Sequence, residues 1–120
     1  MPVTPKLQEL LDQITAIKPT LLALGFKPTQ ANTREAFANA QRKYMTDIDY
    51  TMFAIDDVIY NGKYPVAIRI YRPRLDIALP IAVFMHGGGH MCGSITQYDG
   101  VARPLDKAAQ RIIVAIDSRL

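Results

Sequence analysis

Apolar residues recur at helical spacing near the start of the chain and gather into unbroken runs farther along. Leu7, Leu10, Leu11, Ile14 and Ile17 fall on one helical stripe, which predicts an amphipathic helix over 6–17 that stops near Pro19. Residues 20–31 contain Gly25 and Pro28 and read as a turn region. Asn32, with Glu35 three residues later, is a capping-type start. Ala36, Phe37, Ala40 and Tyr44 then form the stripe of a second helix. From the pattern alone the pair reads as two helices packing on a sheet or on each other.

Beyond residue 50 the period changes. Residues 54–60 and 65–72 read as strands on either side of Asn61-Gly62, a strong hairpin dipeptide. In the second, Val66, Ile68 and Ile70 alternate with Arg69 and Tyr71, so one face is buried and the other half solvated. Pro73 and Pro80 bracket a connecting loop. Residues 81–85 and 112–116 are short, continuously apolar runs, which predicts strands buried on both faces of a parallel sheet. Between them lies a helix starting at about 99 or 103 and ending near 110. Pro104 is expected as a first-turn residue, because an interior proline costs about 3 kcal/mol. Strand, helix and strand in that order make a right-handed parallel βαβ unit.

The run His86-Gly87-Gly88-Gly89 directly follows the strand at 81–85. Three glycines let the backbone turn sharply and present N–H groups with no side chain in the way. Amides aimed from the carboxyl end of a parallel strand carry fixed partial positive charge and can hold an anionic oxygen.

This run resembles the HGGG loop of hormone-sensitive-lipase-like carboxylesterases, which have the α/β-hydrolase fold. The resemblance extends over nearly the whole chain. Residues 5–45 resemble the family's amino-terminal helices, which belong to a cap. Ile68-Arg69-Ile70-Tyr71-Arg72-Pro73 resembles the end of its first hairpin, and Gly93-Ser94 follows the glycines at the usual distance. Asp99 and Arg103 fall where the family has such a pair, and Asp117-Ser118-Arg119-Leu120 resembles the start of its Asp-Tyr-Arg-Leu-Ala-Pro-Glu segment, with Ser118 in place of tyrosine. The resemblance implies a partial α/β-hydrolase fold: a mixed sheet of about four strands, with a cap-like segment at 1–45 and the core's amino-terminal part at 46–120. It implies that Gly88 and Gly89 supply oxyanion N–H groups while His86 and Gly87 shape the loop. It implies a small acyl ester as substrate and no cofactor.

The rest of such a site is expected outside this sequence. No Gly-x-Ser-x-Gly occurs, since position 96, two residues beyond Ser94, is threonine. Ser94 and Ser118 lack the strand-to-helix elbow of a nucleophile, and no nucleophile, acid or base is assigned here. The 120 residues are therefore expected to be inactive alone and truncated before the elbow, as an incomplete product or half of an assembly. Strand 81–85 should then lie at an open edge that a second copy or a partner chain can pair with.

Other chemistry is disfavoured by the same residues. Cys92 with His86 or His90 is too cramped along one glycine loop for thiol catalysis and reads as a small buried apolar residue. His86 and His90 have metal-ligand spacing only on a helix, which the glycines preclude, so no metal site is assigned. Asp99 and Arg103 read as a structural ion pair or a helix-start pair, and the resemblance implies that Asp117 braces the turn after its strand. The net charge of +3, from 14 basic and 11 acidic residues, is scattered rather than gathered in a stripe, which argues against nucleic-acid binding. At 49% hydrophobic, the chain suits one ordinary core. A single cysteine, no signal-peptide pattern and no membrane-length apolar run lead to the expectation of a cytoplasmic protein without membrane contact.

Overall fold

Two apolar strands and the helix between them organise the structure, a computed structural model that describes residues 3–45 and 47–118. The elements run α1 (Pro5–Ala23), α2 (Gln30–Tyr44), β1 (Phe53–Asn61), β2 (Tyr64–Arg72), β3 (Ile81–Met85), α3 (Asp99–Ala109) and β4 (Ile112–Ile116). The strands form one mixed sheet in the order β1-β2-β4-β3. β1 and β2 are the expected hairpin, β2 and β4 are antiparallel, and β3 and β4 are the parallel pair of the βαβ unit. Gly62 takes φ +63, the left-handed geometry that the hairpin turn needs. The fold is the α/β arrangement anticipated from the apolar runs.

Register divides the sheet's side chains into two faces. One carries Ala54, Tyr71, Ile113 and Ala82 in a row across the four strands, with Arg69, Ala115 and Phe84 beside them. This face meets α3: Tyr71, Ile95, Ala102, Ile113 and Ala115 are buried together, and Ala54, Ala82 and Phe84 pack against them. The other face carries Ile55, Ile70, Val114 and Val83 in the corresponding row, followed by Asp57, Ile68, Ile116 and Met85. At β3 this face is open, with Ile81, Val83 and Met85 at 64%, 59% and 72% exposure. β3 is therefore half-buried on one face and open on the other, instead of buried on two, because it is an edge strand and no described helix covers its second face.

Three boundaries differ from expectation. α1 continues through Pro19 to Ala23. Proline removes only its own donor, and no residue of α1 is fully buried, so no close packing opposes the adjustment that Pro19 requires. α2 starts earlier than Asn32: Thr29 is its cap, its hydroxyl accepting from the Asn32 amide at 3.3 Å while the Asn32 side chain accepts from the Thr29 amide at 2.6 Å. Asn32 is thus the third residue of a reciprocal cap. α3 begins at Asp99 with Pro104 inside it. The buried face Asp99, Ala102, Arg103, Asp106 requires a continuous helix there, and its packing outweighs the lost backbone bond. Arg119 and Leu120, part of the resemblance to the Asp-Tyr-Arg-Leu-Ala-Pro-Glu segment, lie outside the described residues.

α1 and α2 meet through a shallow groove floored by Leu10, Ile14, Ile17, Ala36 and Ala40. Gln13 Oε1 accepts from Lys43 Nζ at 2.9 Å and from the Tyr44 hydroxyl at 3.0 Å across it. The opposite side of α2 faces the loop that follows β3, as described below.

Candidate functional site

The glycine run leaves the end of β3 in a turn closed on one oxygen. The Gly88 carbonyl accepts from the amides of Met91 at 3.0 Å and Cys92 at 3.1 Å, and from Cys92 Sγ at 3.3 Å. Gly88 has φ +140, and a Cβ built there would stand 1.7 Å from the Cys92 carbonyl oxygen. Only glycine fits. Gly93, at φ +107, is under the same constraint, with a Cβ falling 2.5 Å from His86 Nδ1. His90 is held at φ 59, an uncommon left-handed conformation for a residue with a side chain.

These anchors decide where the amides point. A trans peptide is planar and its C=O and N–H are directed oppositely. With the Gly88 carbonyl drawn in toward Met91 and Cys92, the Gly89 N–H of the same peptide is turned away from them. His86 does the same one peptide earlier: its Nδ1–H donates to the Gly87 carbonyl at 2.9 Å, so the Gly88 N–H faces away from the imidazole. Neither amide meets an acceptor among the described residues. Both line a hollow of about 440 Å³ with Met85, His86, Gly87, His90, Cys92 and Ser118. The arrangement is two successive donors beside an open space, which is what an incoming anionic oxygen requires.

His86 is itself held. Its side chain is 2% exposed, its ring stacks on Tyr98 at 5.4 Å between centroids, and its Nε2 lies 3.7 Å from Asp117 Oδ1. That oxygen also accepts from the Ile95 amide at 3.1 Å, so Asp117 ties the end of β4 to the segment after the glycines. Cys92 is buried and directs its thiol to the Gly88 carbonyl instead of to either histidine. Ser94 accepts from the Gln97 amide at 3.1 Å within a turn. The structure therefore brings His86, Gly87, Gly88, Gly89 and Cys92 together and assigns Cys92 and Ser94 to the loop's scaffolding.

Beneath α3 lies a charge network that the sequence revealed only in part. Asp99 Oδ2 accepts from Arg103 Nε at 2.6 Å, the expected ion pair one helical turn apart. Its other oxygen accepts from the Tyr71 hydroxyl at 2.8 Å and Arg69 Nη1 at 3.0 Å, and Arg69 reaches on to Asp56 with a second bond at 2.8 Å. Burial alone would raise the Asp99 pKa, but the bonds from Arg103, Tyr71 and Arg69 overcome it and hold the carboxyl below the ordinary aspartate value. The Tyr71 hydroxyl is pushed up by burial and then by Asp99. Arg69, Asp56 and Tyr71 lie on the hairpin, far along the chain from Asp99, and only the β1–β2 register brings them there. The sequence signal was a polar residue alternating with apolar ones at Arg69.

Comparison with known proteins finds esterases at the level of sequence and fold. No protein-family profile matches the chain. It is 39% identical over 62 residues to carboxylesterase NlhH of Mycobacterium tuberculosis, covering 51% of this chain and 19% of that protein. It is 28% identical to esterase LipI of the same organism over 97% of this chain and 39% of LipI. Among solved structures, the hyperthermophilic esterase of the archaeon Pyrobaculum calidifontis superposes with a TM-score of 0.79 and 31% identity, covering all of this chain and 37% of that one. The chain thus spans two-fifths or less of the length of these relatives. In sequence and in fold, it is similar to the amino-terminal portion of hormone-sensitive-lipase-like carboxylesterases of the α/β-hydrolase fold.

Proposed function

We propose that this chain supplies the oxyanion-binding portion of a carboxylic-ester hydrolase acting on small acyl esters. The observation that carries the reading is the pair of successive amides, Gly88 and Gly89, turned outward by anchors on the carbonyls of Gly87 and Gly88. In this reading a serine hydroxyl attacks the ester carbonyl and passes its proton to a histidine that an acid orients. The two glycine amides receive the oxygen that becomes negative, the alcohol departs, and water then releases the acid from the serine. The serine, histidine and acid belong to further polypeptide that joins at the β3 edge. No cofactor enters this chemistry. The lone thiol of Cys92, buried and unpaired, suits a cytoplasmic setting; among the described residues no helix is long and apolar enough to cross a membrane.

The test is hydrolysis of a chromogenic short-chain acyl ester by the 120-residue chain alone and mixed with the complementary carboxyl-terminal fragment of a similar esterase. Turnover is expected only in the mixture. Gly88→Ala, which cannot keep the Gly88 conformation, should then lower kcat by about 10²–10³-fold. Turnover in the mixture that is indifferent to Gly88→Ala defeats the proposal.

One other reading, a non-catalytic interaction module that pairs with a second copy or a partner chain, would rest on the edge position of β3 in the sheet. It expects concentration-dependent self-association and no turnover in any mixture.

A further inference from the structure

We infer that α2 sets the alignment of the two outward amides through Arg34 and Phe37, acting as positioning residues; the inference rests on the oxyanion reading of the loop. Two separate chains of contact run from α2, and each ends on a different amide. Arg34 Nε donates to the Met91 carbonyl. The Met91 amide donates to the Gly88 carbonyl, whose peptide carries the Gly89 N–H. Arg34 therefore clamps the outer side of the turn that orients Gly89, through a bond strengthened by the guanidinium charge. Phe37, one helical turn on, lies 6.1 Å from the Tyr98 ring. Tyr98 stacks on His86, and His86 Nδ1 holds the Gly87 carbonyl, whose peptide carries the Gly88 N–H. The Tyr98 hydroxyl also lies 3.5 Å from where a Cβ on Gly87 would stand, so the ring walls the loop directly.

No residue of α2 is fully buried, so these contacts to the loop are among its main ties, and a shift of the helix would be carried through them. A displacement of α2, for example when something occupies the space between it and Ser94, Thr96 and Gln97, would turn the two donors out of register. The helix thereby makes oxyanion binding depend on how the amino-terminal segment is seated.

The test is amide NMR on the full chain, recording the shifts and order parameters of Gly88 and Gly89, with Ile70 and Val114 as reporters of the sheet. Arg34→Ala should move the Gly89 cross-peak more than that of Gly88 and lower its order parameter from about 0.85 toward about 0.6. Phe37→Ala should do the reverse, acting mainly on Gly88. Phe37→Tyr, which keeps the ring, should restore Gly88. Should Phe37→Ala disturb Ile70 and Val114 as well, Phe37→Leu takes its place as the milder probe. Unchanged Gly88 and Gly89 signals, or equal changes at both from either variant, overturn the inference. Because the readout needs no catalysis, its failure is separate from a failure of ester hydrolysis in the complemented mixture.

Discussion

The two faces of the sheet are built from similar residues but are covered unequally. On one, Tyr71, Ile113 and Ala115 are at most 2% exposed beneath α3. On the other, Val83 continues a row of Ile55, Ile70 and Val114 and is 59% exposed. Ile68, mid-sheet on that same face, is only 5% exposed, so the contrast is sharpest at the β3 edge, where no described helix covers the strand. The covered face also carries the charge network, since α3 brings Asp99 and Arg103 down onto Arg69 and Tyr71. The bare face holds Asp57 as its polar member in the two central rows.

The largest effect that tests this contrast is expected at Asp99. Asp99→Ala leaves Arg69 and Arg103 facing each other beneath α3 without their shared carboxylate, at a cost of about 3–5 kcal/mol in urea unfolding. Its pKa is depressed in the folded state, so its stabilisation is complete above the unfolded value of 3.8 and is lost as pH falls through the folded value. The wild-type chain should show this acid-side loss and Asp99→Ala should lack it. An Asp99→Ala chain as stable as wild type would mean that the network is ornamental.

Next come matched truncations on the two faces. Ile113→Ala, on the covered face, should cost about 3 kcal/mol because it opens a cavity under α3. Val83→Ala, on the bare face, should cost less than about 1 kcal/mol, since most of that side chain is already in contact with solvent. Equal costs would show that something covers β3 in solution and would erase the distinction between the faces.

How much of this was legible in the sequence follows the range of the interactions involved. β3 and β4 coincide with the two apolar runs because five consecutive apolar residues leave little choice of boundary. The glycine loop was legible because Gly88 and Gly93 sit where a Cβ cannot. The helix ends were not: Pro19 and Pro104 are local stop signals that the surrounding helices override, and the Thr29 cap lay hidden three residues before Asn32. Asp99 and Arg103 announced themselves by spacing within one helix, whereas Arg34, Asp56 and Tyr98 gained roles only when tertiary structure carried them to the loop or the network.

Within the covered face, Asp106 sharpens the contrast with Asp99. It is fully buried, and neither carboxylate oxygen has a hydrogen-bond partner among the described residues. Burial raises its pKa, which the nearby Lys107 backbone amide and the charges of Arg103 and Lys107 only partly offset. An acid whose pKa is raised on folding destabilises the native state at neutral pH, and that burden lifts as pH falls through the folded value. Asp106→Ala should therefore raise stability by about 1 kcal/mol at pH 7 and by less in acid. Two aspartates two turns apart on one helix thus carry opposite pH dependences, because one has three donors and the other none.

The smallest effect on stability, and the most telling for the bare face, is expected from Val83→Lys. A lysine at a position 59% exposed on an edge strand changes monomer stability by no more than about 0.5 kcal/mol. It does place a charge on the row that any added strand or sheet must cover, and edge lysines are a common way to prevent such pairing. Sedimentation should show the wild-type chain associating as concentration rises and Val83→Lys remaining monomeric, with unfolding midpoints nearly the same. If Val83→Lys associates as readily as wild type, contact is made elsewhere, and the exposed leucines and isoleucines of α1 (Leu7, Leu11, Ile14 and Ile17) become the surface to change next. If instead it unfolds the chain, Val83 is buried in solution and β3 is already paired.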